Sequence, residues 1–300
     1  MLPAKILARS VRDVFAPYPH ALLGKDRGIH RLRVGVRRLR MMLRLVALRP
    51  QGRRRRLADR RLRSIAGAVA LSRDLDVAVE LFELYPPLHE AGRGAWTALR
   101  HALWAARARS RRISRDRLFD LDIAKLRDDL RAIVSRAEVD SERLRARLQE
   151  RAALDGSEVV NGLVAMGKRF KPEALHDVRR GVRRLRYLAE IDDAIVGRRS
   201  DEAKQLRLLQ GRIGEIYDRH VFATWLASRG RPSAHPDRAA RARAARSMAR
   251  RVGVDARRLH RELLASDPMA VVLRTLEAMR PQETPSPAGN VVPFPPAYGQ

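Results

Sequence analysis

One segment of this chain occurs twice. Residues 30–40 read His-Arg-Leu-Arg-Val-Gly-Val-Arg-Arg-Leu-Arg and residues 176–186 read His-Asp-Val-Arg-Arg-Gly-Val-Arg-Arg-Leu-Arg, with eight of the eleven positions identical. The correspondence continues downstream. Leu62, Ile65, Val69, Asp74 and Val77 recur as Leu206, Leu209, Ile213, Asp218 and Val221. Gly67 recurs as Gly211, and Arg60 and Arg63 as Lys204 and Arg207. The spacing is 146 residues for the first segment and 144 for the second, so the length change falls in the loops between them. A duplication of this kind constrains the chain to two related units. Here they would span about 1–136 and 137–280, within one domain of 1–280. Each has room for about four helices, enough for a bundle.

The residues available favour helices. Hydrophobic side chains make up 45% of the 300 residues, enough for a core, but aromatics only 5%, and stretches rich in β-branched and aromatic residues are hard to find. Ala, Leu, Arg and Glu dominate, all good helix formers. An all-α fold of two pseudo-symmetric four-helix bundles is therefore expected. Breakers mark its joints: a loop from Pro17 to Gly28, then Pro50-Gln51-Gly52, Pro86-Pro87, and Gly230 to Pro236. Pro172 opens a helix at about Glu173 that closes between Gly197 and Ser200, and Pro268 begins a last short one. Residues 281–300 turn to Pro, Ser, Gly and Ala and are expected to form a flexible tail.

There is no cysteine, which excludes disulfides and thiolate catalysis and is compatible with a cytoplasmic protein. The start, Met1 to Lys5, lacks the apolar run of a signal peptide. No window approaches the ~18 apolar residues of a membrane span, so no membrane insertion is expected.

Charge narrows the function. The net charge is +29, and of 63 basic residues only six are lysine. Such an excess repels itself in a folded domain, so a polyanionic partner is the natural inference. Arginine's planar fork of donors matches phosphate oxygens. On a helical wheel, His30, Arg33, Arg37, Arg40 and Arg44 fall within an arc of about 80°. Leu32, Gly35, Val36, Leu39, Leu43 and Val46 occupy the other side. His176, Arg179, Arg183 and Arg186 repeat the stripe, opposite Val178, Val182, Leu185 and Ala189. This spacing sets one cation per turn over ~15 Å of helix, a costly row unless an anion neutralises it. A single basic face is commonly just solvated surface; two copies with the same phases point to a shared ligand. Each arginine could give two parallel hydrogen bonds to phosphate, and each histidine could donate when protonated.

Arg38 and Arg184 lie off the stripe, and Arg63 and Arg207 are weaker candidates of undetermined direction. Glu190 stands where the first copy has Arg44 and is expected to limit the groove at that end. Metal binding is not expected, because neither histidine has a ligand partner one turn away on its stripe in the first copy. Asp74 and Asp76 resemble a carboxylate pair, but beside Arg73 they are expected to pair with arginines or cap a helix. Gly35, Gly67, Gly181 and Gly211 are read as small residues on core faces.

The two His-x-x-Arg-x-x-x-Arg-Arg-Leu-Arg segments are followed by Arg73-Asp74-Leu75-Asp76-Val77 in one half. Leu209-Gln210 through Gly214-Glu215-Ile216-Tyr217-Asp218 follows in the other. Together with Arg186-Tyr187 and the lead-in Pro172-Glu173-Ala174-Leu175-His176, they resemble the CHAD family (conserved histidine α-helical domain) over about residues 1–280. The resemblance implies two packed bundles whose His- and Arg-bearing helices line a basic central groove or pore. It implies binding of inorganic polyphosphate and association with polyphosphate granules and possible granule proteins. Carried over, the ligand falls to His30, Arg33, Arg37, Arg40, His176, Arg179, Arg183 and Arg186, with Asp74 and Asp218 orienting arginines from behind. The family is often fused to a triphosphate tunnel domain with an alternating Glu-x-Glu-x-Lys strand. No such segment exists in this sequence, so a stand-alone binding module, not an enzyme, is expected, with no cofactor. Non-specific nucleic-acid binding is the alternative. It accounts for the charge, but the aromatic platforms that stack bases are missing from the basic segments.

Overall fold

The computed structural model describes residues 3–46, 52–136 and 140–280, and every regular element among them is helical. The first half runs through α1 (Pro3–Phe15), α2 (Tyr18–Leu22), α3 (Asp26–Val46), α4 (Gly52–Ala68), α5 (Ala70–Phe82), α6 (Arg93–Phe119) and α7 (Ile123–Ser135). The second runs through α8 (Ser141–Met166), α9 (Pro172–Val196), α10 (Asp201–Ala227), α11 (Pro236–Ala265) and α12 (Pro268–Ala278). The Pro-rich segment 281–300 and the junction at 137–139 lie outside the described residues.

Neighbour relations repeat as the sequence does. Helices α1, α3, α4 and α7 touch in a ring, and α8, α9, α10 and α12 make the matching ring. These are two pseudo-symmetric four-helix bundles, and they share one continuous core that includes Leu32, Leu39, Leu62 and Ile65 from one half and Val178, Leu185, Leu206 and Ile213 from the other. The repeated positions i, i+3, i+7 put these residues on one helical face, which burial against the neighbouring helices then rewards. Helices α6 and α11 leave the rings. With α5 and the far end of α10 they enclose a second core of Leu81, Phe82, Leu99, Leu103, Phe222 and Val252, which ties the two halves together.

Gly35 and Gly181 occupy matching places and let helices meet closely. A Cβ on Gly35 would lie 2.3 Å from the Asp13 carbonyl oxygen of α1, and one on Gly181 would lie 2.5 Å from Val159 of α8. Gly67 and Gly211 differ from the reading above: both are exposed, and a Cβ there would meet nothing.

Three local features depart from expectation. The loop set at Pro17 to Gly28 contains α2, and Gly28 lies inside α3. Proline fits a first helical turn, and the Tyr18 hydroxyl donates to the Leu118 carbonyl at 2.6 Å, which fixes this turn against α6. The first half also breaks at Val69 (φ −104°, ψ 5°) into α4 and α5, where the second runs on as the single helix α10. Each half carries a short closing helix as well, α7 or α12, started by the side chain of Asp122 or Asp267 accepting from a backbone N–H three residues on.

Candidate functional site

Helices α3 and α9 converge where the halves meet, and α5 and α10 flank them. The four enclose a cavity of about 630 Å³. Eight arginines line it: Arg33, Arg37 and Arg38 from α3, Arg73 from α5, Arg179, Arg183 and Arg186 from α9, and Arg219 from α10. Against them stand four carboxylates, Asp74, Glu80, Glu215 and Asp218, so the cavity is strongly cationic.

The arginines fall into two groups. Five are already held. Arg179 donates to Asp218 at 3.2 Å and lies over the Tyr217 ring. Arg38 donates to Glu190 at 2.6 Å, and Arg186 lies over Tyr187, 3.7 Å from the same carboxylate. Arg219 pairs with Glu215 at 2.9 Å, and Arg73 with Glu80 at 3.8 Å. Arg33, Arg37 and Arg183, in contrast, have no ion pair or side-chain hydrogen bond among the described residues. All three are half-buried.

Their titration records the cost. Desolvation, then Arg37, Arg179 and Arg73, bring Arg33 down to about 10 against a partial pull from Asp74. Desolvation, then Arg37, Arg179 and Arg33, bring Arg183 down to about 9, although Tyr187 opposes. Arg37 is lowered by desolvation and by Arg179. The three stay protonated at neutral pH, but as cations facing cations in a partly dry space. An anion placed among them would relieve all three together.

The carboxylates feel the reverse. Asp218 is raised, by desolvation first and by Asp74, against Arg179, Arg73 and Arg33. Asp74 lines the cavity, and no hydrogen bond from its side chain is present among the described residues. Asp76 faces away. Its buried oxygen accepts from Arg107 and Arg111, each at 2.8 Å, so it serves to anchor α6 to α5. No cluster of His, Cys, Asp or Glu suited to a metal ion exists among the described residues.

The histidines separate. His30 stands on the cavity wall, its pKa lowered by desolvation and then by Arg73, Arg33 and Arg37. His176 is outside. It lines a neighbouring shallow depression with Tyr217 and His220, its ring 5.1 Å from Tyr217 and its Nδ1 buried without a partner.

Of the remaining sequence candidates, Arg40, Arg44, Arg63, Arg184 and Arg207 do not line the cavity. Arg40 and Arg63 share Asp59 at 2.7 and 3.2 Å. Arg184 turns to Asp155 and Glu158 of α8. Arg207 reaches Glu190 at 3.1 Å. Wheel phase gives the side of a helix, not the carboxylate waiting on the next one. Arg73 and Arg219, in turn, line the cavity without having been singled out. Arg73, Val77 and Glu80 stand at i, i+4 and i+7 on α5 and all three line the cavity, so a wheel drawn for α5 puts Arg73 on the face that Val77 and Glu80 share.

Fold and cavity together define a duplicated all-helical scaffold built around an arginine-lined space between its halves. The chain belongs to the CHAD domain family, whose model matches residues 5–227 and 160–296. Among solved structures it is similar to the CHAD domain from the plant Ricinus communis, at 15% identity and a TM-score of 0.63, covering 92% of this chain and 91% of that one. It is also similar to PptA from Streptomyces chartreusis, at 17% identity and a TM-score of 0.61, covering 88% of this chain and 100% of that one. At such identities the likeness is one of fold. No curated protein sequence matches the chain. No helix among the described residues is long and apolar enough to cross a membrane.

Proposed function

We propose that this protein binds inorganic polyphosphate in the cavity between its halves, and that it acts by binding and not by catalysis. The observation that carries the reading is the unpaired trio Arg33, Arg37 and Arg183: half-buried cations without carboxylate partners, drawn from both halves into one space. A linear chain of phosphates supplies charge at every repeat and needs no base-specific contact, so it can neutralise the trio and then meet the arginines flanking it. Membership of the CHAD family supports the choice of polymer. A cytoplasmic protein that associates with polyphosphate granules, and with proteins there, is the corresponding cellular role. Nucleic acid is expected to bind less well, because a duplex whose major groove alone is about 12 Å wide cannot enter a cavity of 630 Å³.

Gel-shift titration with long-chain polyphosphate and with duplex DNA of matched charge tests this. Polyphosphate should bind more tightly, with an affinity that falls steeply with salt. The pair Arg37→Glu and Arg183→Glu should remove binding while helicity by circular dichroism stays intact. Equal affinity for both polymers, or binding that survives the double substitution, would sink the reading. Incubation with polyphosphate and magnesium should release no phosphate.

A further inference from the structure

The two halves hold one arginine pair in different ways. In the second half Glu190 of α9 lies between Arg186, at 3.7 Å, and Arg207, at 3.1 Å, and accepts from Arg38 at 2.6 Å. The repeat relates Arg186 to Arg40 and Arg207 to Arg63. Those two also share a carboxylate, but it is Asp59 of α4, at 2.7 and 3.2 Å. With Asp59 in that role, the residue at the place of Glu190 is free to differ, and it is Arg44.

Arg44 is a surplus cation. It is exposed and makes no ion pair among the described residues. The repeat also carries Arg38 onto Arg184. Where Arg38 meets Glu190 with opposite charge, Arg184 is brought toward Arg44 with like charge. Arg184 turns aside to the fully buried Asp155 at 2.8 Å, and Asp155 also holds Arg151 at 2.6 Å. Helix α8 packs against this end of α3, where Arg147 donates to the Leu45 carbonyl at 3.2 Å, so Arg151, one turn further along α8, and its partner Asp155 lie beside Arg44; desolvation and then, against Asp59, Arg40, Arg151 and Arg184 lower the Arg44 pKa accordingly. Along the α3 stripe Arg44 lies seven residues beyond the cavity-lining Arg37, or ~10 Å along the helix.

We propose that Arg44, with Arg40, Arg63, Arg151 and Arg184 around it, is an outer phosphate site for polyanion leaving the cavity, and that Glu190 closes the matching exit of the other half. The path of the bound chain is thus open in one direction. A ligand short enough to stay in the cavity never meets Arg44, whereas a long one does. The inference rests on the polyphosphate reading above and adds a direction and a length preference to it.

Tripolyphosphate and a chain of on the order of 100 phosphates separate the two sites. Both would be titrated by calorimetry against wild type, Arg44→Glu, Glu190→Gln and Arg274→Glu. The last removes an exposed cation on α12 that makes no ion pair among the described residues, and so measures the effect of net charge alone. Arg44→Glu should leave tripolyphosphate affinity within about twofold, weaken the long chain about tenfold, and make its log–log salt slope shallower by about one. Glu190→Gln, which keeps the side-chain shape, should tighten the long chain several-fold. Circular dichroism checks that each variant is folded. An Arg44→Glu loss no larger than that of Arg274→Glu, or equal for both ligands, overturns the outer site. Long-chain affinity unchanged or weakened in Glu190→Gln overturns the closed exit. Wild-type protein that binds neither polymer refutes the cavity reading itself, a result distinct from these.

Discussion

His30 shows how one residue's chemistry depends on what fills the cavity. Desolvation and Arg73, Arg33 and Arg37 hold its pKa below the usual 6.5, with Glu80 opposing only in part, so in the empty protein it is neutral at pH 7. Phosphate between those arginines reverses the local field and raises that pKa, so binding takes up a proton. Polyphosphate affinity should therefore rise several-fold from pH 7.5 to pH 6, and His30→Gln should flatten the profile; an unchanged profile in the variant would remove His30 from the site. Stability of the empty protein runs the other way. Below pH 6.5 the unfolded chain protonates His30, His176, His220 and His260 at their ordinary pKa while the folded one resists, so the folded state loses ground as pH falls. The histidine and arginine phases were legible in the sequence because a wheel needs only local periodicity. The fates of Arg40 and Arg184 were not, since Asp59 and Asp155 sit 19 and 29 residues away on other helices, and only the packing brings them within reach.

At the scale of elements, the chain's breakers mark joints where they act alone. Pro172 begins α9, and Gly197, at φ +80°, ends it with its N–H on the Asp193 carbonyl at 2.8 Å, the usual division of labour between these residues. The break at Val69 carries no distinctive signal: Gly67 stands two residues before it, but the counterpart Gly211 lies inside the unbroken α10. Helix α2 hid behind its prolines for the opposite reason. The glycines give a test. Gly35→Ala drives a Cβ into backbone, the Asp13 carbonyl, and should cost about 1–3 kcal/mol, as overpacking does. Gly67→Ala faces open space on a helix and should stabilise by up to ~1 kcal/mol. Thermal denaturation followed by circular dichroism reads both. If Gly35→Ala left Tm unchanged or raised it, the close approach of α3 to α1 would not be limiting.

On the scale of the molecule, the duplication foretold two bundles and the family resemblance that their arginine stripes would meet, and the structure shows what that meeting costs. Arg183 reaches a space that already holds Arg37, Arg179 and Arg33, and its charged form is disfavoured accordingly. No carboxylate partner would be orphaned by its removal. An apolar side chain of similar length should therefore suit the empty protein better than the native arginine does, by about 1–3 kcal/mol, or a few degrees in Tm. Arg183→Met is the variant to make. Without ligand its Tm should exceed that of wild type, most clearly at low salt, where repulsion is least screened. Polyphosphate at about 100 times the Kd should stabilise wild type by ~2.7 kcal/mol, and the shift should be much smaller in the variant. The order of the two proteins then reverses on adding ligand. A variant less stable than wild type without ligand would mean that Arg183 holds the fold together, and that the cavity's charge is structural instead of kept for an anion.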